Sequence, residues 1–138
     1  VDWENDLGAK LVELGELLER SDFVSLHCPL TPDTRHLIDA DMLKRMKPTA
    51  ILVNTARGPV VDEAALVAAL TNKRIAGAGF DVYENEPALT PGLGELDNTV
   101  LLPHIGSATF ETRDEMGRMC ARAVIAVLTG KEPENRVV

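Results

Sequence analysis

Four residues whose side chains can do chemistry follow short apolar runs of the chain: Arg57, Asp81, Glu86 and His104. The apolar runs predict buried strands, and in open α/β sheets ligands bind at the carboxyl ends of the strands. An arginine can hold an anionic group through paired hydrogen bonds, and a histidine can exchange a proton near neutral pH. A carboxylate close to that histidine favours its protonated form. Together these residue types predict an active site.

Each of these residues also has a plainer interpretation when it is taken alone. Arg57 fits a structural ion pair, and His104 fits a histidine whose hydrogen bonds serve only the fold. Glu86 fits a solvated acid in a polar loop, and Asp81 fits a cap for the turn after its strand. Residue type and position alone leave both interpretations open.

The elements that must position these residues alternate between strand and helix. Strands are predicted over residues 23–28, 50–54, 75–82 and 100–102. Helices are predicted over residues 40–46 behind Asp39, from Asp62 onwards, and over residues 108–129. Val61 before the second cap and Leu66 in the first turns fit a hydrophobic staple.

This alternation predicts an α/β fold with a doubly wound, Rossmann-like parallel sheet. Nearly continuous apolar strands between helices are typical of a parallel sheet that is covered on both faces. The glycine-rich Gly-x-Gly-x-x-Gly turn of dinucleotide-binding folds does not occur. Gly77-Ala78-Gly79 is no substitute, because the chain continues from it as strand rather than opening a helix.

The composition excludes several classes of function. The chain has 138 residues, about one domain, and 45% of them are hydrophobic, which is enough for a core. The net charge of -8 and the lack of a basic cluster argue against nucleic acid and anionic membranes as partners. No apolar run approaches the ~20 residues that cross a bilayer.

The two cysteines, Cys28 and Cys120, have neither CxxC spacing nor a matching histidine cluster, so we expect no metal site. We expect both to be reduced thiols in a cytoplasmic protein. Cys120 lies at helical spacing with Met116 and Met119, which predicts a core position. The chain starts at Val1 rather than at a methionine, which predicts a cut end.

Five motifs in a fixed order give the chain a strong resemblance to the D-2-hydroxyacid dehydrogenases. They are His27–Thr31, Asn54–Gly58 with Val61–Glu63, Ala78–Val82, Glu84–Pro87 and Pro103–Thr109. The resemblance implies a partial dinucleotide-binding domain that lacks the first strands and the glycine-rich loop. Residues 1–107 would form its strand–helix repeats, and residues 108–138 would form a C-terminal helix and tail.

The resemblance also assigns roles to the residues of the predicted active site. Arg57 would hold the substrate carboxylate, His104 would be the acid in reduction and the base in oxidation, and Glu86 would hydrogen-bond the imidazole. The implied cofactor is NAD or NADP. Its contacts would be Cys28, Pro29, Thr55, Ala56, Arg57, Asp81, His104, Ile105, Gly106 and Ser107.

The implied activity is reduction of small 2-keto acids to D-2-hydroxy acids. The Ile-Gly-Ser-Ala-Thr sequence after His104 is similar to glyoxylate/hydroxypyruvate reductases. Two alternatives remain, an enzyme similar to phosphoglycerate dehydrogenase and a non-catalytic NAD-sensing or corepressor module. We expect a homodimer for the whole protein. The fragment alone is expected to be inactive and to self-associate or pair with its missing half, because its first strand would lack a neighbour.

Overall fold

The first part of the chain is built on a parallel four-stranded sheet, and the computed structural model describes residues 6–137. The strands are β1 (Phe23–Leu26), β2 (Ile51–Asn54), β3 (Gly77–Phe80) and β4 (Thr99–Leu101). They pair in that order, and every neighbouring pair is parallel. The predicted parallel α/β fold is therefore confirmed, although β1, β2 and β3 are shorter than their apolar runs suggest.

Four α-helices lie wholly within residues 6–137: α1 (Leu14–Arg20), α2 (Ala40–Arg45), α3 (Glu63–Thr71) and α4 (Phe110–Leu128). The chain divides into two compact units, Val1–Pro103 and His104–Val138, and α4 belongs to the second. No helix in residues 6–137 is long and apolar enough to cross a membrane. The division after residue 107 that the sequence suggests stays a prediction.

The core of the first unit lies on one face of the sheet. In a parallel sheet, paired residues point to the same side, so the register places Leu26, Asn54 and Phe80 in one buried row. Helix α1 packs against α2, and α2 packs against α3. The opposite face is less covered than predicted, because Phe23 is 71% exposed and Val100 is 64% exposed.

The helix starts follow the predicted caps. The Asp39 carboxylate accepts from two backbone N–H groups of α2, and the Asp62 carboxylate accepts from Ala65 N–H at 2.9 Å. Val61 and Leu66 are both fully buried on either side of that cap, as the hydrophobic staple requires. Local sequence therefore determines where α2 and α3 begin.

One helix was not predicted from the sequence, and one prediction about another helix is wrong. Helix α1 was not predicted, although Leu14, Leu17 and Leu18 recur at helical spacing; of its seven residues Leu18 alone is buried. Cys120 was predicted in the core but is exposed, and no residue of α4 is buried. The methionines that share its face, Met116 and Met119, are 45% and 38% exposed.

The turn after β2 and the loop after β3 are in direct backbone contact. A Cβ atom on Gly58 would lie 1.9 Å from the Tyr83 carbonyl carbon and 2.4 Å from the Glu84 nitrogen. Real side chains do not tolerate such distances, so only glycine fits at this position. The side chain of Tyr83 is itself 8% exposed and donates from its hydroxyl to the Leu102 carbonyl at 2.7 Å.

Tyr83 should give the fold a pH dependence in the alkaline range. Burial, with the negative charges of Asp81 and Glu63, raises the pKa of the Tyr83 phenol above its ordinary value. The stabilisation that follows is complete below the ordinary pKa and is lost as pH rises through the folded-state pKa. Tyr83 is the single tyrosine of the chain. Its phenolate absorbance should therefore appear at higher pH in the native than in the denatured chain, and equal midpoints would contradict this.

Substitution of Gly58 by alanine should separate the two loops. We expect Gly58→Ala to lower the free energy of unfolding by about 1–3 kcal/mol or more, because the new methyl group overlaps the Tyr83–Glu84 backbone. The matched control is Gly79→Ala in β3, where the nearest atom would be Val53 Cγ2 at 4.0 Å. Chemical denaturation of both variants tests the expectation, and equal losses would contradict it.

Candidate functional site

The turn that carries Arg57 is shaped by the side chain of Asn54, the last residue of β2. Asn54 is fully buried, its Oδ1 accepts from Ala56 N–H at 3.0 Å, and its Nδ2 donates to the Arg57 carbonyl at 3.0 Å. One amide therefore folds the backbone of Thr55–Arg57 tightly around the end of the strand. We assigned no role to Asn54 from the sequence, although an asparagine ahead of a tight turn is a recognised signal for this geometry.

Arg57 leaves this turn with an extended backbone and an exposed side chain. Its φ and ψ are −148° and 138°, and its Nη1 donates to the Ala56 carbonyl at 2.6 Å. A short 3₁₀ helix, Gly58–Val60, follows at once. One hydrogen bond thus holds the guanidinium group against its own turn, and the exposed remainder of the group stays accessible to a ligand.

An open depression of about 600 Å³ lies beyond the carboxyl ends of β1 and β2. This volume is in the range of small-molecule sites, which is roughly 300–1,000 Å³. Its lining combines the segments that follow the two strands: His27, Cys28, Pro29, Leu30, Thr55, Ala56 and Arg57. Five of the ten residues predicted to contact the cofactor are thus brought together in one place.

The lining fits one end of a dinucleotide better than it fits a metal ion. Cys28 and Pro29 supply apolar surface, and Thr55 supplies a hydroxyl beside the exposed cation of Arg57. A flat, polar ring such as nicotinamide needs apolar surface with a few polar groups at its edge. Among residues 6–137, no group of three or more His, Cys, Asp or Glu side chains could hold a metal ion.

The loop after β3 begins at Asp81, next to the end of β2. Asp81 N–H donates to the Asn54 carbonyl at 3.1 Å, and the Asp81 residue is 6% exposed. Farther along, the Glu86 carboxylate accepts from Tyr83 N–H at 2.9 Å, and the Glu86 residue itself is exposed. The backbone contact between Gly58 and Tyr83 makes this loop a direct neighbour of the turn that carries Arg57.

The remaining predicted site residues, His104 to Ser107, open the second unit. His104 has a φ of 55°, a left-handed conformation that is uncommon for residues other than glycine. Ala108 N–H donates to the Ile105 carbonyl at 2.9 Å, and Thr109 then caps α4 by accepting from Thr112 N–H. These residues form a tight turn into the helix, two residues later than the predicted helix start at residue 108.

Two further polar residues, Glu63 and His36, contact the loop that carries Glu86, and neither was assigned a role in the site from the sequence. Glu63, the first residue of α3, is fully buried and accepts from Glu84 N–H at 2.6 Å. Oε1 of the Glu84 carboxylate lies within hydrogen-bond distance of His36 Nε2, at 2.7 Å. Nη2 of Arg35 lies 3.7 Å from the same Oε1 atom. The His36 ring is thus a partner of this loop.

Comparison with known proteins assigns the chain to a family. Residues 2–106 match the model of the D-isomer specific 2-hydroxyacid dehydrogenase, NAD binding domain. A protein from Staphylococcus haemolyticus that is named as a 2-hydroxyacid dehydrogenase is 50% identical over 131 residues, which is 95% of this chain and 41% of that protein. The chain therefore spans less than half the length of this curated relative.

Solved structures agree with that assignment. A protein from Thermus thermophilus has 50% sequence identity and a TM-score of 0.87, over 92% of this chain and 41% of that one. An NADPH-dependent glyoxylate/hydroxypyruvate reductase from Sinorhizobium meliloti, solved with NADP and malonate, has 39% identity and a TM-score of 0.86. That similarity covers 91% of this chain and 39% of the reductase.

The comparisons confirm the resemblance that the five motifs carry, together with the Rossmann-like fold of a partial domain. They also agree with the expected cofactor, NAD or NADP, since the matched model is the family's NAD binding domain. The chain belongs to the D-isomer specific 2-hydroxyacid dehydrogenase family, within its NAD binding domain.

Proposed function

We propose that the protein containing this chain is an NAD(P)-dependent oxidoreductase that reduces small 2-keto acids to D-2-hydroxy acids, with glyoxylate or hydroxypyruvate as substrate. The observation that carries the proposal is the depression beyond β1 and β2, where residues of two family motifs meet around the exposed Arg57. The similar reductase from S. meliloti supports the choice of substrate.

The cofactor, NAD or NADP, supplies the hydride in such a reaction. On this proposal, Cys28 and Pro29 provide apolar surface for the nicotinamide, and Thr55 and Ala56 border it from the neighbouring turn. Asp81, which directly follows β3, would accept a hydrogen bond from the carboxamide of the nicotinamide. The turn formed by Ile105, Gly106 and Ser107 completes the contacts.

Arg57 binds the carboxylate of the substrate in this proposal. Its planar guanidinium group can donate two parallel hydrogen bonds to a carboxylate, which fixes orientation as well as position. The hydrogen bond from Arg57 to the Ala56 carbonyl limits the freedom of the side chain before a substrate arrives. A lysine at this position would keep the charge but lose the fork.

His104 gives a proton to the carbonyl oxygen during reduction and removes it during oxidation. A histidine suits this step because its pKa in model compounds, about 6.5, lies close to working pH. Glu86 hydrogen-bonds the imidazole and favours its protonated form.

Two alternatives use the same family membership. A phosphoglycerate dehydrogenase-like enzyme would act on a larger, phosphorylated acid, and a non-catalytic sensor would bind the dinucleotide without turnover. Cofactor oxidation by the full-length protein with glyoxylate, hydroxypyruvate and 3-phosphohydroxypyruvate separates the three cases. The 138-residue chain by itself should be inactive, because it covers 41% of its similar S. haemolyticus relative. A cytoplasmic location and a homodimer are further parts of the proposal.

Single substitutions in the full-length protein should separate the proposed roles. His104→Asn and Glu86→Gln should lower kcat, the former by about 100- to 10,000-fold, since they act on proton transfer. Arg57→Lys should chiefly raise KM for the keto acid, because the paired contact to the carboxylate is lost. Steady-state kinetics with glyoxylate measure both. The roles are wrong if His104→Asn keeps wild-type kcat.

The open edge of β1 should cause the 138-residue chain to self-associate. Within residues 6–137, β1 pairs with β2 alone, and Phe23 on this edge strand is 71% exposed. Exposed apolar edge strands pair with other chains. Sedimentation should show dimers or larger species, and Phe23→Lys should shift them towards monomer. Thr71→Lys, an equal change of charge on α3, is the control. A monomeric parent chain would count against the expectation.

A further inference from the structure

The carboxylate of Glu63 holds both ends of the loop that carries Glu86. Its Oε1 accepts from the backbone N–H of Glu84 at 2.6 Å, and its Oε2 accepts from the Thr90 hydroxyl at 2.6 Å. Glu63 is fully buried at the first turn of α3, where the helix dipole favours a negative charge. A buried carboxylate is costly unless its oxygens are hydrogen-bonded, and here both are.

The segment between the two attachment points is short and already folded on itself. Asn85 and Ala88 form an isolated bridge, and the Glu86 carboxylate accepts from Tyr83 N–H at 2.9 Å. The Gly58 backbone packs closely against the backbone of the same loop at Tyr83 and Glu84. Because Glu63 holds both ends of the loop of residues 84–90, the Glu86 side chain is restricted to few orientations.

We propose that Glu63 is a positioning residue that sets the place of Glu86 by binding both ends of its loop. The proposal rests on the role of Glu86 in the proposed function. It goes beyond that function because Glu63 faces the core, away from solvent, and acts only through the loop. Glu63 is therefore expected to affect the rate of the chemical step more than the binding of substrate, which falls to Arg57.

The Glu84 side chain supplies a second attachment that does not depend on the Glu63 side chain. Its Oε1 lies 2.7 Å from His36 Nε2, and its Oε2 lies 3.5 Å from the backbone nitrogen of Glu63. The loop thus remains tethered to the segment before α2 when Glu63 is changed. A variant at position 63 should consequently shift the loop rather than release it completely.

The test compares Glu63→Ala in two backgrounds of the full-length protein, with glyoxylate or hydroxypyruvate and NADH or NADPH. In the wild type, Glu63→Ala should lower kcat about 10- to 100-fold, the scale of a misplaced catalytic group, with little change in KM. In the Glu86→Gln background, the same substitution should change kcat by no more than about twofold, because the group that it positions is already lost.

Two further variants keep the test decisive if Glu63→Ala folds poorly. Glu63→Gln should stay within about threefold of wild-type kcat, since its amide oxygen can accept from Glu84 N–H and its NH₂ group can donate to the Thr90 hydroxyl. Thr90→Val removes one end of the attachment and should lower kcat about tenfold. The matched control is Thr71→Val, because the Thr71 hydroxyl bonds the Val67 carbonyl within α3 and should leave kcat unchanged.

The outcomes separate this proposal from the proposed function. If Glu63→Ala lowered kcat by equal factors in both backgrounds, the effect would be a general structural one. That result would overturn the positioning role of Glu63 and leave the proposed role of Glu86 intact. Failure of Glu63→Gln to retain activity, with the protein folded by circular dichroism, would also overturn it. An unchanged kcat in Glu86→Gln alone would overturn the role of Glu86, and the positioning role with it.

Discussion

The parallel register of β1, β2 and β3 is the constraint on which the site depends. It places Leu26, Asn54 and Phe80 side by side, and the three strands therefore end at one edge of the sheet. The segments that follow these residues, which carry Cys28, Arg57 and the loop to Glu86, are neighbours for that reason alone. Ligand sites of open α/β sheets form in this position because the chain leaves each strand there and is free to vary.

Buried polar side chains give the two loops after β2 and β3 their shapes. Asn54 fixes the turn after its own strand with two hydrogen bonds, and Glu63 fixes the loop after the next strand with two more. In each case the polar group is fully enclosed and lies beside, not in, the proposed contact with a ligand. Such groups hold functional side chains in place because the cost of leaving them unpaired is high.

The sequence was sufficient where structure depends on neighbours in the chain. The cap at Asp62, the staple of Val61 and Leu66 and the alternation of strands with helices are local patterns, and all are present. Glu63 could not be interpreted in this way, because one of its partners is a hydroxyl 27 residues later and the other is a backbone N–H 21 residues later. Contacts of that kind exist only once the sheet has formed, and residue type alone does not predict them.

The contact at Gly58 restricts how this part of the molecule can move. Because the Gly58 backbone rests on that of Tyr83 and Glu84 without room for a methyl group, neither loop can slide past the other. The turn with Arg57 and the loop with Glu86 are consequently expected to move together. Under the proposed function, any opening that admits a substrate would therefore occur at a hinge outside these two segments, and the distance between Arg57 and Glu86 would stay nearly constant.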